Sequence, residues 1–121
     1  MTKSAQRLGR WGESLAATYL VEHGYTILER NLRTSYGEID LIARDGETIV
    51  FIEVKTGKTP TFGMPEISVN SRKQAHLLAA AQTYMQAHPD HQGEWRIDVI
   101  AIQGSPTEKQ PVITHFENAF S

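Results

Sequence analysis

One stretch constrains the fold more than any other: GEIDLIARDGETIVFIEVKTG, residues 37–57, two apolar runs joined at Asp45-Gly46. An Asp-Gly pair between such runs favours a tight hairpin. With a two-residue turn at that pair, Arg44 faces Glu47, Ile42 faces Ile49, Asp40 faces Phe51 and Glu38 faces Glu53. Side chains alternate along a strand. Glu38, Asp40, Ile42, Ile49, Phe51, Glu53 and Lys55 then share one face, and Ile39, Leu41, Ala43, Val50, Ile52 and Val54 share the other. Both faces are largely apolar, so the hairpin belongs inside a sheet covered on both sides, where an ionised side chain needs a partner or a ligand.

The rest of the chain supplies the cover. Leu8, Trp11, Leu15, Tyr19 and Leu20 recur at helical spacing between Ser4 and His23, and Gly24 terminates that helix. A second helix is expected from Ser71, its cap, with Gln74 in the capping-box position. Ala75, Leu77, Leu78, Ala81, Tyr84 and Met85 form its apolar face, and it ends near His88-Pro89. YTILERNLR, residues 25–33, reads as a strand, as do residues 95–102 and 112–116. The order helix, three strands, helix, two strands predicts an α/β fold: a mixed central β-sheet flanked by helices. Residues 56–70 carry Gly, Pro and Thr without periodicity and read as an exposed loop, whose Phe62 and Met64 are placed to touch a substrate or partner. No repeat or linker interrupts the 121 residues, so a single domain over 1–121 is expected.

Composition narrows the chemistry. The chain has no cysteine, which excludes disulfides and thiolate metal sites and leaves oxygen or imidazole ligands for any metal. No run of about 18 apolar residues marks a membrane span and the N-terminal segment lacks the apolar core of a secretory signal, so a cytoplasmic location is the expectation. A net charge of −2 argues mildly against nucleic acid as partner. Its distribution softens that objection, because residues 1–75 hold ten Lys and Arg against nine Asp and Glu, while residues 76–121 hold two against five.

In the expected register Asp40 and Glu53 are diagonal neighbours about 7–8 Å apart on one face. A divalent cation fits between them, since Mg²⁺ or Mn²⁺ takes one or two carboxylates plus water and substrate phosphate. Without the cation, like charges in a partly dry site push at least one carboxyl pKa upward. Lys55, two residues past Glu53 on the same face, is placed to orient an attacking water or stabilise charge developing on a phosphate. Glu13 projects about 140° around the first helix from Leu8 and so lies at the margin of the apolar stripe. A pair of arbitrary carboxylates on adjacent strands is most often a solvated edge pair; the shared apolar face and Lys55 argue against that here. Glu38 reads as an outer residue or ion-pair partner and Asp98 as structural. The two histidines of His88-Pro89-Asp90-His91 read as a solvated turn rather than metal ligands. Arg72 and Lys73 open the second helix and read equally as solvated residues or as phosphate contacts beside the site; Arg10 is a further candidate phosphate contact.

Asp40, a spacer, then Glu53-Val54-Lys55 is also the arrangement of PD-(D/E)XK nucleases, with Ile39 where the pattern's name has proline. The resemblance implies a restriction-endonuclease-like fold, with Asp40 and Glu53 as metal-binding acids and Lys55 as catalytic lysine. Glu13 resembles the additional acid that Holliday junction resolvases of this fold place on their first helix, which implies a third ligand. More closely, GRWGESLAATYLVEHGYTILERNLR, GEIDLIARD, FIEVKTG and FGMPE together resemble the YraN-like family of small bacterial proteins over most of the chain. The function so implied is metal-dependent hydrolysis of phosphodiester bonds in DNA, including branched DNA. The rival is a non-catalytic binding or adaptor protein of the same fold, acting in DNA processing or a protein assembly. A domain this small leaves little room for its own recognition module, so a homodimer or a partner protein is expected; a membrane is not.

Overall fold

The hairpin forms with its turn one residue along from the expected one, which shifts the pairing register by two. In a computed structural model that describes residues 3–57, 70–91, 93–107 and 110–120, strands β2 (Gly37–Asp45) and β3 (Thr48–Gly57) pair antiparallel, with Asp45 against Thr48, Ile42 against Phe51 and Leu41 against Ile52. The turn residues are therefore Gly46 and Glu47 rather than Asp45 and Gly46. Gly46 has φ +61 and no non-glycine residue of the turn has positive φ. That fits a hairpin needing glycine only at its first central position. A shift of two leaves each side chain on its face, but it carries Asp40 from opposite Phe51 toward Glu53 itself.

Helix α1 (Lys3–Glu22) precedes β1 (Thr26–Thr34), which pairs antiparallel with β2. Gly24, at φ +89, closes α1 in a Schellman arrangement: Tyr25 N–H donates to Leu20 O at 2.9 Å and Gly24 N–H to Val21 O at 3.1 Å. After β3 the chain crosses through α2 (Ser71–Ala87) to β4 (Trp95–Gln103), parallel to β3, and returns as β5 (Val112–Phe116), antiparallel to β4. The sheet order β1-β2-β3-β4-β5 makes it a mixed five-stranded sheet, so the expected α/β class holds. The cap of α2 lies one residue before the expected Ser71. Asn70 Oδ1 accepts the Lys73 N–H at 2.9 Å, and asparagine is as good an N-cap as serine. Phe62 and Met64 lie outside the described residues.

Each helix covers one face. Ala16, Ala17 and Leu20 of α1 pack with Leu41, Ala43, Val50, Ile52, Ile100 and Ile102. Leu77, Ala80, Ala81 and Tyr84 of α2 pack with Ile39, Ile42, Ile49, Phe51, Ile97 and Val99; Leu78, expected on this face, is 40% exposed. Ile39 also departs from expectation, since it joins the cluster of Ile42 rather than that of Leu41. Alternation along β2 slips by one at Asp40. Two features meet there: the recorded β2–β3 pairing ends at Leu41–Ile52, and β1 makes a left-handed step at Asn31, φ +52, between the pairs Arg30–Leu41 and Leu32–Ile39. Among the described residues no helix is long and apolar enough to cross a membrane.

Asp98 on β4 is structural, as its alternation with Ile97 and Val99 suggests. It is fully buried and accepts hydrogen bonds from His115 Nε2 (2.7 Å), Arg96 Nε (3.0 Å) and the Asn118 N–H (2.9 Å). Burial alone would raise its pKa; the hydrogen bonds from His115, Arg96 and Asn118 outweigh it and hold the carboxyl below its ordinary value. His115 Nδ1 meets Tyr19 OH at 3.1 Å, so the network ties β4 and β5 to α1. A depressed folded-state pKa contributes stability that is present above the unfolded pKa of about 3.9 and is lost as pH falls through the folded value. Asp98→Asn should therefore lose about 3 kcal/mol at pH 7, and the gap to wild type should narrow in denaturant titrations run at successively lower pH. A constant gap down to pH 3 would contradict this account.

Candidate metal centre

Asp40 stands where the pairing of β2 with β3 ends, and its side chain replaces the missing backbone partner: Oδ2 accepts the Val54 N–H at 2.8 Å. Its other neighbour is Glu53, close enough for the two carboxyls to share a hydrogen bond. Glu53 is only 4% exposed, and its Oε2 is met by Lys55 Nζ at 3.7 Å and Lys73 Nζ at 3.5 Å. The parallel pairing of Glu53 with Val99 and Lys55 with Ala101 fixes both residues near the C-terminal end of β3. In sheets with parallel strands, ligands collect at that end.

Burial pushes the Asp40 pKa up to about 8, reinforced by the Glu53 charge and the hydrogen bond from Asp40 to Glu53, against the pull of the Val54 N–H. In the metal-free chain Asp40 therefore keeps its proton at neutral pH and donates it toward Glu53. Glu13 is raised as well. Burial is the main cause, a side-chain hydrogen bond with Asn31 opposes it, and the charges of Glu38 and Glu53 add to it.

Glu13 reaches this place because α1 lies very close to β3. Gly12 is buried, and a Cβ there would collide with Oγ1 of Thr56, the residue after Lys55. Glycine at this contact sets the distance between helix and sheet, and with it the reach of the next side chain.

Carboxylate oxygens of Glu13, Glu38 and Asp40 lie within 4.8 Å of one another, the one group of three metal-capable side chains among the described residues. Of the expected ligands, Glu13 and Asp40 fall in this group with Glu38, while Glu53 stands outside it, beside Asp40 and against Lys55 and Lys73. Glu38 is also the ion-pair partner it resembled in sequence, 3.8 Å from Arg33 Nε. The donor set suits a hard divalent cation: all oxygen, several acids crowded in a half-dry site, and raised pKa values that a cation would reverse. Two clefts flank the acids. A groove of about 540 Å³ is lined by Arg10, Glu13, Asn31, Arg33 and Glu38. A cleft of about 70 Å³ is lined by Tyr36, Glu38, Lys73, His76 and Leu77. Arg72 is exposed on the first turn of α2 and lines neither. His88 does not join a metal group among the described residues; it stacks on Tyr84 with ring centroids 3.9 Å apart.

Sequence reasoning undervalued Glu38 and missed Asn31. Asparagine is the residue type that most readily takes positive φ outside glycine, so an Asn within a strand pattern was the available signal.

Fold and site together define a small α/β domain with a cluster of acids and lysines at one end of a mixed sheet. Residues 12–102 match the model described as Uncharacterised protein family UPF0102, and the chain belongs to that family. This is the YraN-like family the sequence motifs point to. Its relatives include a UPF0102 protein of Geobacter metallireducens, 47% identical over 120 residues that cover 99% of this chain and 97% of the relative. Another, from Syntrophomonas wolfei, is 44% identical over 115 residues, 95% of this chain and 98% of the relative. Among solved structures, SfsA of Pyrococcus furiosus in complex with Ca²⁺ aligns with a TM-score of 0.44 over 93% of this chain at 13% identity; this chain spans 63% of that protein's length.

Two predictions follow from the crowded carboxyls and the close helix. A carboxyl whose folded-state pKa is raised binds its proton more tightly in the folded state, so the metal-free protein loses stability as pH climbs from about 4 toward 8. Asn in place of Asp40 mimics the protonated acid, so in EDTA Asp40→Asn should melt higher than wild type at pH 8 by the equivalent of at least ~1 kcal/mol and approach it at pH 4. A wild-type melting temperature as insensitive to pH as that of the variant would refute the raised pKa. Separately, Gly12→Ala should weaken calorimetric Mn²⁺ binding by displacing Glu13, with partial recovery in Gly12→Ala/Thr56→Ala; undiminished binding in the single variant would remove Glu13 from the ligand set.

Proposed function

We propose that this chain is a divalent-metal-dependent endonuclease that hydrolyses phosphodiester bonds in DNA, including branched DNA. The observation that carries the reading is the buried Glu53, hydrogen-bonded to Asp40 and flanked by two lysines, with Glu13 and Glu38 facing the same acids. Asp40, Glu53 and Glu13, joined by Glu38, would hold Mg²⁺ or Mn²⁺. Such an ion supplies Lewis acidity toward a phosphate oxygen and toward water.

The remaining chemistry is the work of side chains. Water adds to phosphorus as the ester P–O bond breaks, the phosphate keeps the hydroxyl, and the leaving sugar oxygen takes a proton. Lys55, held 3.7 Å from Glu53, donates hydrogen bonds to the incoming water or to a non-bridging oxygen, where negative charge grows. Arg10 and Arg33 line the larger groove and offer guanidinium forks to flanking phosphates. Lys73 is the matching cation on the α2 side and Arg72 an outer contact. This resemblance to PD-(D/E)XK nucleases is one of residues and spacing.

The second reading, a non-catalytic adaptor of the same fold, draws on one observation. Lys55 and Lys73 both pair with Glu53, so the fold itself supplies cations to this carboxylate. The two readings separate on a panel of linear, nicked, flapped and four-way-junction DNAs with Mn²⁺. The enzyme reading expects wild-type cleavage, a fall of about 10² to 10³ for Lys55→Ala with little change in binding, and none for Asp40→Asn. Equal cleavage by all three proteins would be contamination, and DNA retention without cleavage would favour the adaptor.

A further inference from the structure

The cleft on the α2 side holds features the cleavage chemistry leaves unused. Tyr36, at the tip of the β1–β2 turn, is 47% exposed and forms one wall. The turn that presents it is tied down: the Thr34 hydroxyl donates to Gly37 O at 2.7 Å and accepts the Tyr36 N–H at 3.1 Å, and Gly37 takes φ +120. The bracing fixes the backbone that carries the exposed ring, so less main-chain freedom is lost when something flat lies on it. Opposite stand Lys73 and the exposed His76, one turn apart on α2, with the buried Leu77 and Ala80 between them and the sheet. The acid in the wall, Glu38, faces Arg33 at 3.8 Å and belongs to the carboxylate group. Lys73 links this cleft to the centre, since the same ammonium meets Glu53 at 3.5 Å.

We infer that this cleft is a subsite for one unpaired nucleotide next to the scissile phosphate, its base stacked on Tyr36 and its phosphate met by Lys73 and His76. The inference rests on the nuclease reading and names its substrate class. The cleft, about 70 Å³, is too small for a base pair, and a base offers its face to the exposed Tyr36 only when it has left the duplex stack. Stacking is indifferent to base identity because every base has a π face, so the subsite selects strand structure rather than sequence. A flap, a frayed junction arm or a single strand satisfies it; a continuous duplex does not.

The test is binding in the Lys55→Ala background with Mg²⁺, which keeps the probe intact. Fluorescence anisotropy compares a short single-stranded oligonucleotide and a blunt duplex of equal length. Tyr36→Ala should weaken single-strand binding roughly 5- to 100-fold, the scale of losing one base–aromatic stack, and leave duplex binding unchanged. Tyr36→Phe should stay within about twofold of the parent. 2-Aminopurine placed along the single strand should be quenched at one position by the parent and by Tyr36→Phe, and at none by Tyr36→Ala. Equal loss on both probes, no loss on either, or no quenching anywhere overturns the subsite. These outcomes are distinct from those of the cleavage panel, where Tyr36 is wild type: cleavage with unaltered binding in Tyr36→Ala sinks the subsite alone.

Discussion

The site depends on two carboxyls, Asp40 and Glu53, forced together where β2 and β3 part. Three demands meet in that small space. Asp40 must stay near enough to accept the Val54 N–H, which the ladder no longer satisfies; Glu53 must lie in a buried strand position; and register brings them side by side. Either carboxyl alone could be neutralised cheaply. Together they leave a proton on Asp40 and draw two lysines to Glu53, one from β3 and one across from α2. Lys55 on β3 and Lys73 on α2 offset that concentration of acid, and Glu13 adds to it.

A second buried acid on the same sheet shows the alternative. Asp98 is as deeply buried as any residue in the chain, yet every partner around it is a donor, and its pKa falls where that of Asp40 rises. Burial acts in the same direction on both. The neighbours decide: Asp98, met by three donors, ties elements together as a charged group, whereas Asp40, beside Glu53 and Glu13, is pushed toward its neutral form despite the Val54 N–H.

Much of this was legible in the chain itself, and the failures are local. The apolar runs of 37–57 specify a doubly covered hairpin whatever the turn, so element order, sheet class and the grouping of Asp40, Glu53 and Lys55 follow from periodicity alone. The register did not, because Asp-Gly and Gly-Glu both suit a two-residue turn and differ in whether Asp45 joins Gly46 at positive φ. Nor did the slip at Asp40, which coincides with a left-handed Asn31 on the neighbouring strand and with the end of the β2–β3 pairing, neither of them visible to alternation within β2. Leu78 had helical spacing in its favour, but α2 buries a narrower stripe than its apolar content suggests. Lys73 reads in sequence either as solvated or as a phosphate contact, and in the structure it faces Glu53: a cation opposite a buried acid looks the same in sequence whether its partner is supplied by the fold or by a ligand.

That ambiguity bears on why the arrangement persists. Basic residues in the first turn of a helix oppose its dipole, and α2 has Arg72 and Lys73 there with no acid to offset them. Asp40 and Glu13 are half-buried with raised pKa values, and Gly12 forgoes the helix propensity of alanine for a close contact. Each departs from what stability alone would choose, by something on the order of 0.3–1 kcal/mol for the dipole and the glycine. All of them converge on one end of one strand pair. The well-satisfied network around Asp98, whose strand neighbour Val99 pairs with Glu53 itself, shows that this fold can bury an acid without such conflicts, so conflict concentrated around Asp40 and Glu53 sets those residues apart from the structural core as the candidate site.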